Sequence, residues 1–410
     1  MQTRLTWWAR FTLGAALAAI AVVAVYQVPA GRTRLEWRLD AASGIVRGWI
    51  YPGSHLPAPK DAGQASAATV VAWPTSTPQP SPSGEITPTP TPPPLPASAA
   101  LEPPKWEKQD WNNCGPATLA MMLRMYGWGG DQFDISKLVK PDRSDKNVNV
   151  DELIYYVLNQ AGWLRADYRV GGTLDMLKRF LAAGMPIMVE KGFILDPNDS
   201  GGGWAGHYLL LTGYDDAQGI FTSQDSNKGA NRPITFAELD DGWRQFNRVY
   251  LMVYRPDQQA TVDAILGADA DMGASRQHAL EAAQREIQAS AADPYAWFNL
   301  GTNLLYFERY GEAASAFDSA LKLGLPWRFT RYQFGPYIAY FNQGRFQDVI
   351  DLANATLHRT PESEESLLWH GWASFRLGDR TTAIADFVAA LKINPGYADA
   401  KYALGYVGGQ

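Results

Sequence analysis

The sequence predicts an α+β domain followed by an all-α repeat solenoid, set behind an apolar N-terminal helix and a proline-rich linker. Three observations carry this. Between residues 106 and 256, helical periodicity comes first and short strand-like runs follow, the order of an α+β unit. From about Ala274 onward, small and aromatic residues recur with a period of about 34 residues. Before both, an uncharged run from Phe11 to Gly31 leads into residues 52–104, which hold 15 of the 27 prolines. The expected division is 1–31, 32–105, 106–256 and 257–410.

The first segment reads as a membrane anchor. About 20 residues at ~1.5 Å each span one hydrocarbon thickness. Arg4 and Arg10 precede the run, and Trp7, Trp8 and Tyr26 fall near the two expected interfaces. A cleaved signal peptide is the alternative, but Val28-Pro29-Ala30 is a poor cleavage site. A short basic leader before a long apolar run resembles a secretory start, so most of the chain is expected outside the cytoplasm. The linker, densest at TPTPTPPPLP, cannot close a core and favours extended polyproline II. It is expected to act as a stalk.

Composition excludes several classes. Lys+Arg 36 against Asp+Glu 42 gives a net charge of −6, which argues against nucleic acid as a partner. One cysteine rules out an intrachain disulfide framework and any cysteine-rich metal centre, and five histidines leave little for a histidine cluster. No metal or cofactor is implied.

The α+β unit opens with a helix from Cys114 to a stop at Gly127. Pro116 suits the first turn, and Leu119, Met122, Leu123 and Tyr126 share a face. Further helices are expected over Asp151–Ala161 and Thr173–Ala183. Strands are expected over 186–190, 207–212, 219–223 and 248–254.

This unit has one cysteine, Cys114, and one histidine, His207. Cys114 begins a helix, where unpaired N–H groups and the macrodipole favour an anion. A thiol so placed can have its pKa lowered from ~8.5 into the ~3.5–7.5 range. Position alone fits a nucleophile or an inert buried thiol equally. His207 begins the apolar strand HYLLLTGY. With a turn at Asp215–Gln218, Tyr214 faces Gly219 and His207 faces position 226, next to Asp225. A bulge or a diagonal contact would then join imidazole and carboxylate. The sequence thus permits a Cys–His–Asp relay. The glycine-rich stretch DSGGGWAG before His207 reads as a mobile lid with Trp204 closing over substrate, or as a hairpin connection whose tryptophan packs on the sheet.

The segment Gln109-Asp-Trp-Asn-Asn-Cys-Gly-Pro-Ala-Thr-Leu-Ala-Met-Met-Leu123, then Gly206-His207-Tyr-Leu-Leu-Leu-Thr-Gly-Tyr214 and Asp225, resembles the bacteriocin-processing, double-glycine leader peptidase-like family of papain-fold cysteine peptidases. The closing strand near Trp243–Tyr254 is similar too. The resemblance covers about 150 residues. It implies a papain-like fold and peptide-bond hydrolysis, with Cys114 as nucleophile, His207 as base and acid, and Asp225 as orienting group. Gln109 is implied as an oxyanion donor beside the Cys114 N–H, and one such donor is worth ~2.7–4 kcal/mol. Gln109 lies five residues before the cysteine, where six is commoner, so a compensating loop is required. Relatives of this type are commonly fused to transporters, and this chain has no multi-span region, so cleavage of bacteriocin leaders does not carry over.

In the C-terminal region, Trp297, Leu300, Gly301, Ala313, Phe317 and Ala320 fit one helix–turn–helix unit. Tyr340, Val349, Ala353, Thr356 and Pro361 fit the next, and Gly371, Ala383, Phe387, Ala390 and Pro395 a third. This resembles the tetratricopeptide repeat, whose small residues let paired helices approach an aromatic. The units would begin at 294, 330 and 364, with an insertion near Gly324 and Pro326. A concave surface for a protein partner or substrate is expected. The remaining histidines read as surface or packing groups.

Three functions fit: a membrane-tethered cysteine peptidase, a cysteine-dependent acyl transferase or amidase using the same relay, and an inactive papain-fold binding module. The complete Cys, His, Asp and Gln set weighs against the third.

Overall fold

The structure, a computed structural model, describes residues 12, 14, 16, 29–60, 94–195 and 203–408. It divides into Met1–Pro52 and Gly53–Gln410. The first unit holds helix α1 (Pro29–Ile50). Among the described residues no helix is long and apolar enough to cross a membrane. The run Phe11–Gly31, read as the anchor, lies for the most part outside the described residues.

The second unit begins with residues 54–60, which lie against the repeats. The Leu56 N–H donates to Leu325 O at 3.0 Å, and the Trp327 N–H to Ser54 O at 3.2 Å. Leu56 is buried, and the Lys60 N–H donates to Asp348 Oδ1 at 2.9 Å. The stalk expectation fails here: an apolar residue within the proline-rich segment finds a core to enter. Residues 61–93 are outside the described set. The chain then docks again through β1 (Ser98–Ala100), which pairs with Gly213–Asp215.

Helices α2 (Cys114–Arg124), α3 (Gln132–Val139) and α4 (Val150–Gln160) follow. Helix α2 is buried from Gly115 to Leu123, so it is a central helix and not the one-faced helix its spacing suggested. Then come β2 (Arg165–Arg169), α5 (Leu174–Ala182, capped by Thr173), β3 (Ile187–Ile194), β4 (Trp204–Asp215), β5 (Ile220–Asp225), β6 (Gly229–Thr235), α6 (Phe236–Trp243) and β7 (Tyr250–Tyr254). All pairs are antiparallel, in the order β2-β7-β3-β4-β5-β6, with β1 added alongside β4. One core lies between α2, α4 and the sheet, and a second beneath α5 and α6 on the other face. Helices first and strands after them is the order the sequence predicts.

Beyond α7 (Gln259–Leu266) the chain is helical: α8 (Met272–Ala289), α9 (Pro294–Tyr306), α10 (Tyr310–Leu323), α11 (Gly335–Asn342), α12 (Phe346–Leu357), α13 (Glu364–Arg376), α14 (Arg380–Ile393) and α15 (Ala398–Tyr406). Consecutive helices form hairpins. Gly301 lets α9 approach Phe317, and Gly371 lets α13 approach Phe387. A Cβ at either glycine would stand 2.7 and 2.6 Å from those rings. The first and third hairpins begin at 294 and 364 as the spacing predicts. The middle one begins at 335 instead of 330, because Leu325–Gln333 form a loop and a 3-10 turn that swing toward the sheet.

That swing matters. Trp204 of β4, Phe246, Val170 and Val249 share one core with Phe298, Phe329 and Tyr337 of the helical region. The two halves also exchange polar contacts. The amides of Asn247 and Asn303 bond reciprocally at 2.9 and 3.2 Å, and the Asn299 amide donates to Arg244 O at 2.7 Å. The segments 106–256 and 257–410 thus lie in one unit and share a common interior.

Candidate active site

Cys114 is the first residue of α2 and is half-buried. The segment before it is braced. Buried Gln132 accepts from the Asp110 N–H and the Asn113 amide at 2.7 and 2.8 Å, and donates to Lys108 O at 2.9 Å. The Lys140 ammonium, also buried, donates to Trp111 O at 3.3 Å and to Arg143 O and Asp145 O at 3.2 Å. Asn112 takes a left-handed conformation (φ 51°), which asparagine tolerates better than most residues. The turn lies between Gln109 and Cys114.

His207 lies on β4 opposite Lys191 of β3. Its Nε2 is 2.9 Å from Asp225 Oδ1. The same oxygen accepts the backbone N–H groups of Asn227 and Lys228 at 2.8 and 2.9 Å. The Trp106 indole donates to Asp225 O at 2.9 Å, and the Phe193 ring lies 4.8 Å from the imidazole. The hairpin register differs from the expected one. Tyr214 faces Phe221, not Gly219, because the turn spans residues 216–219; Asp215 stays in the strand and accepts the Gln218 N–H at 3.1 Å. A shift between Leu211 and Gly213 then sets Leu210 opposite Gln224. Carried on, that register sets His207 opposite Asn227, with Asp225 two residues along on the same face. The contact is therefore the diagonal kind.

The electrostatics form one coupled set. Burial resists ionisation of the Cys114 thiol, yet its hydrogen bond to His207 and the imidazolium charge, with backbone hydrogen bonds at Tyr208 and Gly115, hold it below the ordinary value. Burial alone would push His207 down. Hydrogen bonds to Asp225 and Cys114, and their charges, lift it to about 9. Asp225 is held down to about 2: His207 and the Lys228 and Asn227 N–H groups overcome its burial. With Nε2 taken by Asp225, the ring is left to meet Cys114 through Nδ1. Both shifts favour a thiolate–imidazolium pair over the neutral thiol and imidazole.

Gln109 lines the same pocket, of about 60 Å³, together with Asn112, Glu190 and Tyr332. Its Oε1 accepts from Ser226 Oγ at 2.9 Å, and its backbone N–H donates to Ser226 O at 2.9 Å. That engages the oxygen end of the Gln109 amide. The Asn112 Nδ2 is also buried without a partner.

Of the four residues singled out in the sequence, Cys114, His207 and Gln109 line this pocket, and Asp225 stands behind His207, joined to it by the 2.9 Å bond. Trp204 does not behave as a lid. It is buried within β4, stacked 5.8 Å from Phe246, 5.0 Å from Phe329, and its indole donates to Gln245 Oε1 at 2.6 Å. Residues 199–202 of the expected lid lie outside the described set. The packing alternative holds for the tryptophan because the helical region supplies aromatic partners invisible from the loop. Sequence reasoning also missed Ser226, Trp106, Asn112 and Tyr332. The first three stand within ten residues of recognised positions. Tyr332 lies 125 positions beyond His207, and no local signal could have placed it here.

Residues 101–251 match the Peptidase_C39 like family. No curated protein matches the chain. Among solved structures, a C39-like peptidase from Bacillus anthracis is 18% identical, covering 38% of this chain and 96% of its own, with a TM-score of 0.31. A double glycine motif protease from an AMS/PCAT transporter, in complex with the leader peptide, is 17% identical over 38% of this chain and 94% of its own, with a TM-score of 0.27. The MamA RS-1 ArsTM double mutant is 17% identical over 32% and 74%, with a TM-score of 0.30.

Proposed function

From the match of residues 101–251 to the Peptidase_C39 like family, we propose that the protein is a cysteine peptidase working through Cys114, His207 and Asp225. The observation that carries this is the buried His207, bonded at 2.9 Å to Asp225 and sharing its other side with a thiol at a helix start. The Cys114 thiolate attacks the scissile carbonyl carbon, forming the C–S bond while the C=O electrons move to oxygen. That oxyanion is met by the Gln109 NH₂ group and the Cys114 backbone N–H. The C–N bond breaks as the His207 imidazolium gives its proton to the leaving amine. The neutral imidazole then draws a proton from water, whose oxygen attacks the thioester. The C–S bond breaks and the sulfur leaves as thiolate. Asp225 keeps the ring's other nitrogen protonated and aimed throughout.

The sequence supports a second part of the reading, in which Phe11–Gly31 tethers the enzyme to a membrane. Retention of the chain in carbonate-washed membranes, lost on deleting residues 1–31, is the expected result.

Iodoacetamide labelling at pH 6, where ordinary thiols react slowly, tests the site. Labelling of the wild type and its loss in Cys114→Ala are expected, together with loss of peptide hydrolysis. Hydrolysis that persists in Cys114→Ala would overturn the assignment.

A further inference from the structure

A second and much larger space adjoins the catalytic pocket. It is a cavity of about 1040 Å³ between the catalytic domain and the helical hairpins. Sites for small ligands run to ~1,000 Å³, so this one has room for several residues of chain. Glu190 and Tyr332 line both it and the Cys114 pocket, which sets the two side by side. Tyr332 comes from the loop that displaces the middle hairpin. Gly206, just before His207, leaves it room: a Cβ there would stand 3.1 Å from the tyrosine ring.

The lining is rich in carboxyl groups. Asp151, Glu152, Glu190, Glu364, Glu365 and Asp399 supply six carboxyls, while Arg276 is the one cation among the described lining residues. Apolar walls come from Phe334, Ile338, Leu368 and Trp369. Two polar atoms in the lining are buried without partners, Glu364 Oε2 and Arg276 Nε, on side chains 4% and 9% exposed. A buried, unsatisfied polar group is costly, so such atoms mark where a ligand's groups complete the set. Glu364 and Glu365 are short of countercharge. Burial first, then the charge of Glu365 on Glu364 and of Asp145 and Glu152 on Glu365, push Glu364 up to about 10 and Glu365 to about 8, so both carboxyls stay protonated near neutral pH until a cation joins them.

We propose that this cavity is the substrate cleft, taking an extended peptide whose basic side chains sit among the carboxyls while its backbone runs past Glu190 and Tyr332 to Cys114. The helical hairpins then form half of the cleft instead of a remote recruiting arm. The proposal rests on the peptidase reading, but binding can be measured without turnover.

Two fluorescein-labelled ten-residue peptide pools serve as probes, randomised in Ala, Leu, Phe and Ser except for three positions. Those hold arginine in one pool and its neutral isostere citrulline in the other. With the full-length Cys114→Ala chain, fluorescence anisotropy should give at least tenfold tighter binding for the arginine pool. Glu364→Gln with Glu365→Gln should bring the ratio close to one. If that double variant fails to fold, Asp151→Asn with Asp399→Asn, both exposed at the cavity rim, should lower the ratio severalfold. Equal binding of the pools, or a preference untouched in both double variants, would overturn the cleft. Mass spectrometry of both pools with the wild type reads the other question. Arginine-selective binding without cleavage of any peptide would leave the cleft standing and overturn the peptidase reading. Cleavage of both pools without preference would do the reverse.

Discussion

Ser226 shows how one hydroxyl can bear on a reaction through its neighbour. It bonds Gln109 Oε1 at 2.9 Å and so engages the oxygen end of that amide. Gln109→Ala should lower kcat about 10²–10³-fold. Ser226→Ala should cost kcat less, with KM little changed, since it acts only by positioning. The His207 and Asp225 pair makes a similar contrast. His207→Ala should nearly abolish turnover, whereas Asp225→Asn, which still accepts a hydrogen bond, should leave partial activity. The pH profile of kcat/KM follows from the same groups. The pair is intact above the lowered Cys114 pKa and below the His207 value of about 9, so activity should fall on an alkaline limb near pH 9. Stability moves with it. His207 is raised in the folded state, so its contribution is whole below pH 6.5 and lost as pH climbs through about 9. Asp225 is depressed, so its contribution is present above pH 3.8 and lost as pH falls toward about 2. Urea titrations at pH 6 and pH 10 check the first of these windows. At this scale the sequence was informative for a physical reason. A nucleophile, a base and its orienter must be particular residue types, and one cysteine and one histidine left little choice. Ser226 and Asn112 were not legible, because serine and asparagine occur in any loop.

Strand β4 joins the chemistry to the architecture. One end carries His207, and three residues earlier Trp204 enters the shared aromatic core beside Phe246 and Phe329. Trp204→Ala should therefore act through folding, at ~3–5 kcal/mol for a buried aromatic, with a lower melting temperature as the readout. Substrate KM should rise only if Tyr332, 5.7 Å away, shifts with the loss. Gly371→Ala should be costly as well, since its Cβ would meet Phe387 at 2.6 Å. Elements with strong local signals were readable in advance. Helix α2 had its proline and glycine punctuation, and the glycine–aromatic pairs of the hairpins lie at fixed spacing. Short α3 and α6, and β6 with its GANRPIT sequence, carry weak periodicity, and tertiary contacts decide them.

At the scale of the whole molecule, the shared core makes the α+β domain dependent on the hairpins. A chain ending at Pro256 would expose Trp204, Phe246 and Val249 together, a contiguous apolar patch of the kind that drives aggregation. Such a fragment should be poorly soluble or melt well below the full-length protein, and light scattering with a thermal melt distinguishes these outcomes. None of this dependence was legible in the sequence, because a buried aromatic reads the same whether its partner lies in its own domain or the next. The docking of residues 54–60 on the hairpins and of β1 on β4 has a further meaning for the prolines between them. For any connection between two docked points, the entropy of closure grows only with the logarithm of length. Doubling the run would cost about 0.6 kcal/mol, so it can be lengthened widely at little thermodynamic expense. The distance from Gly53 to Cys114 would not change, because the docked segments set it and the proline run does not.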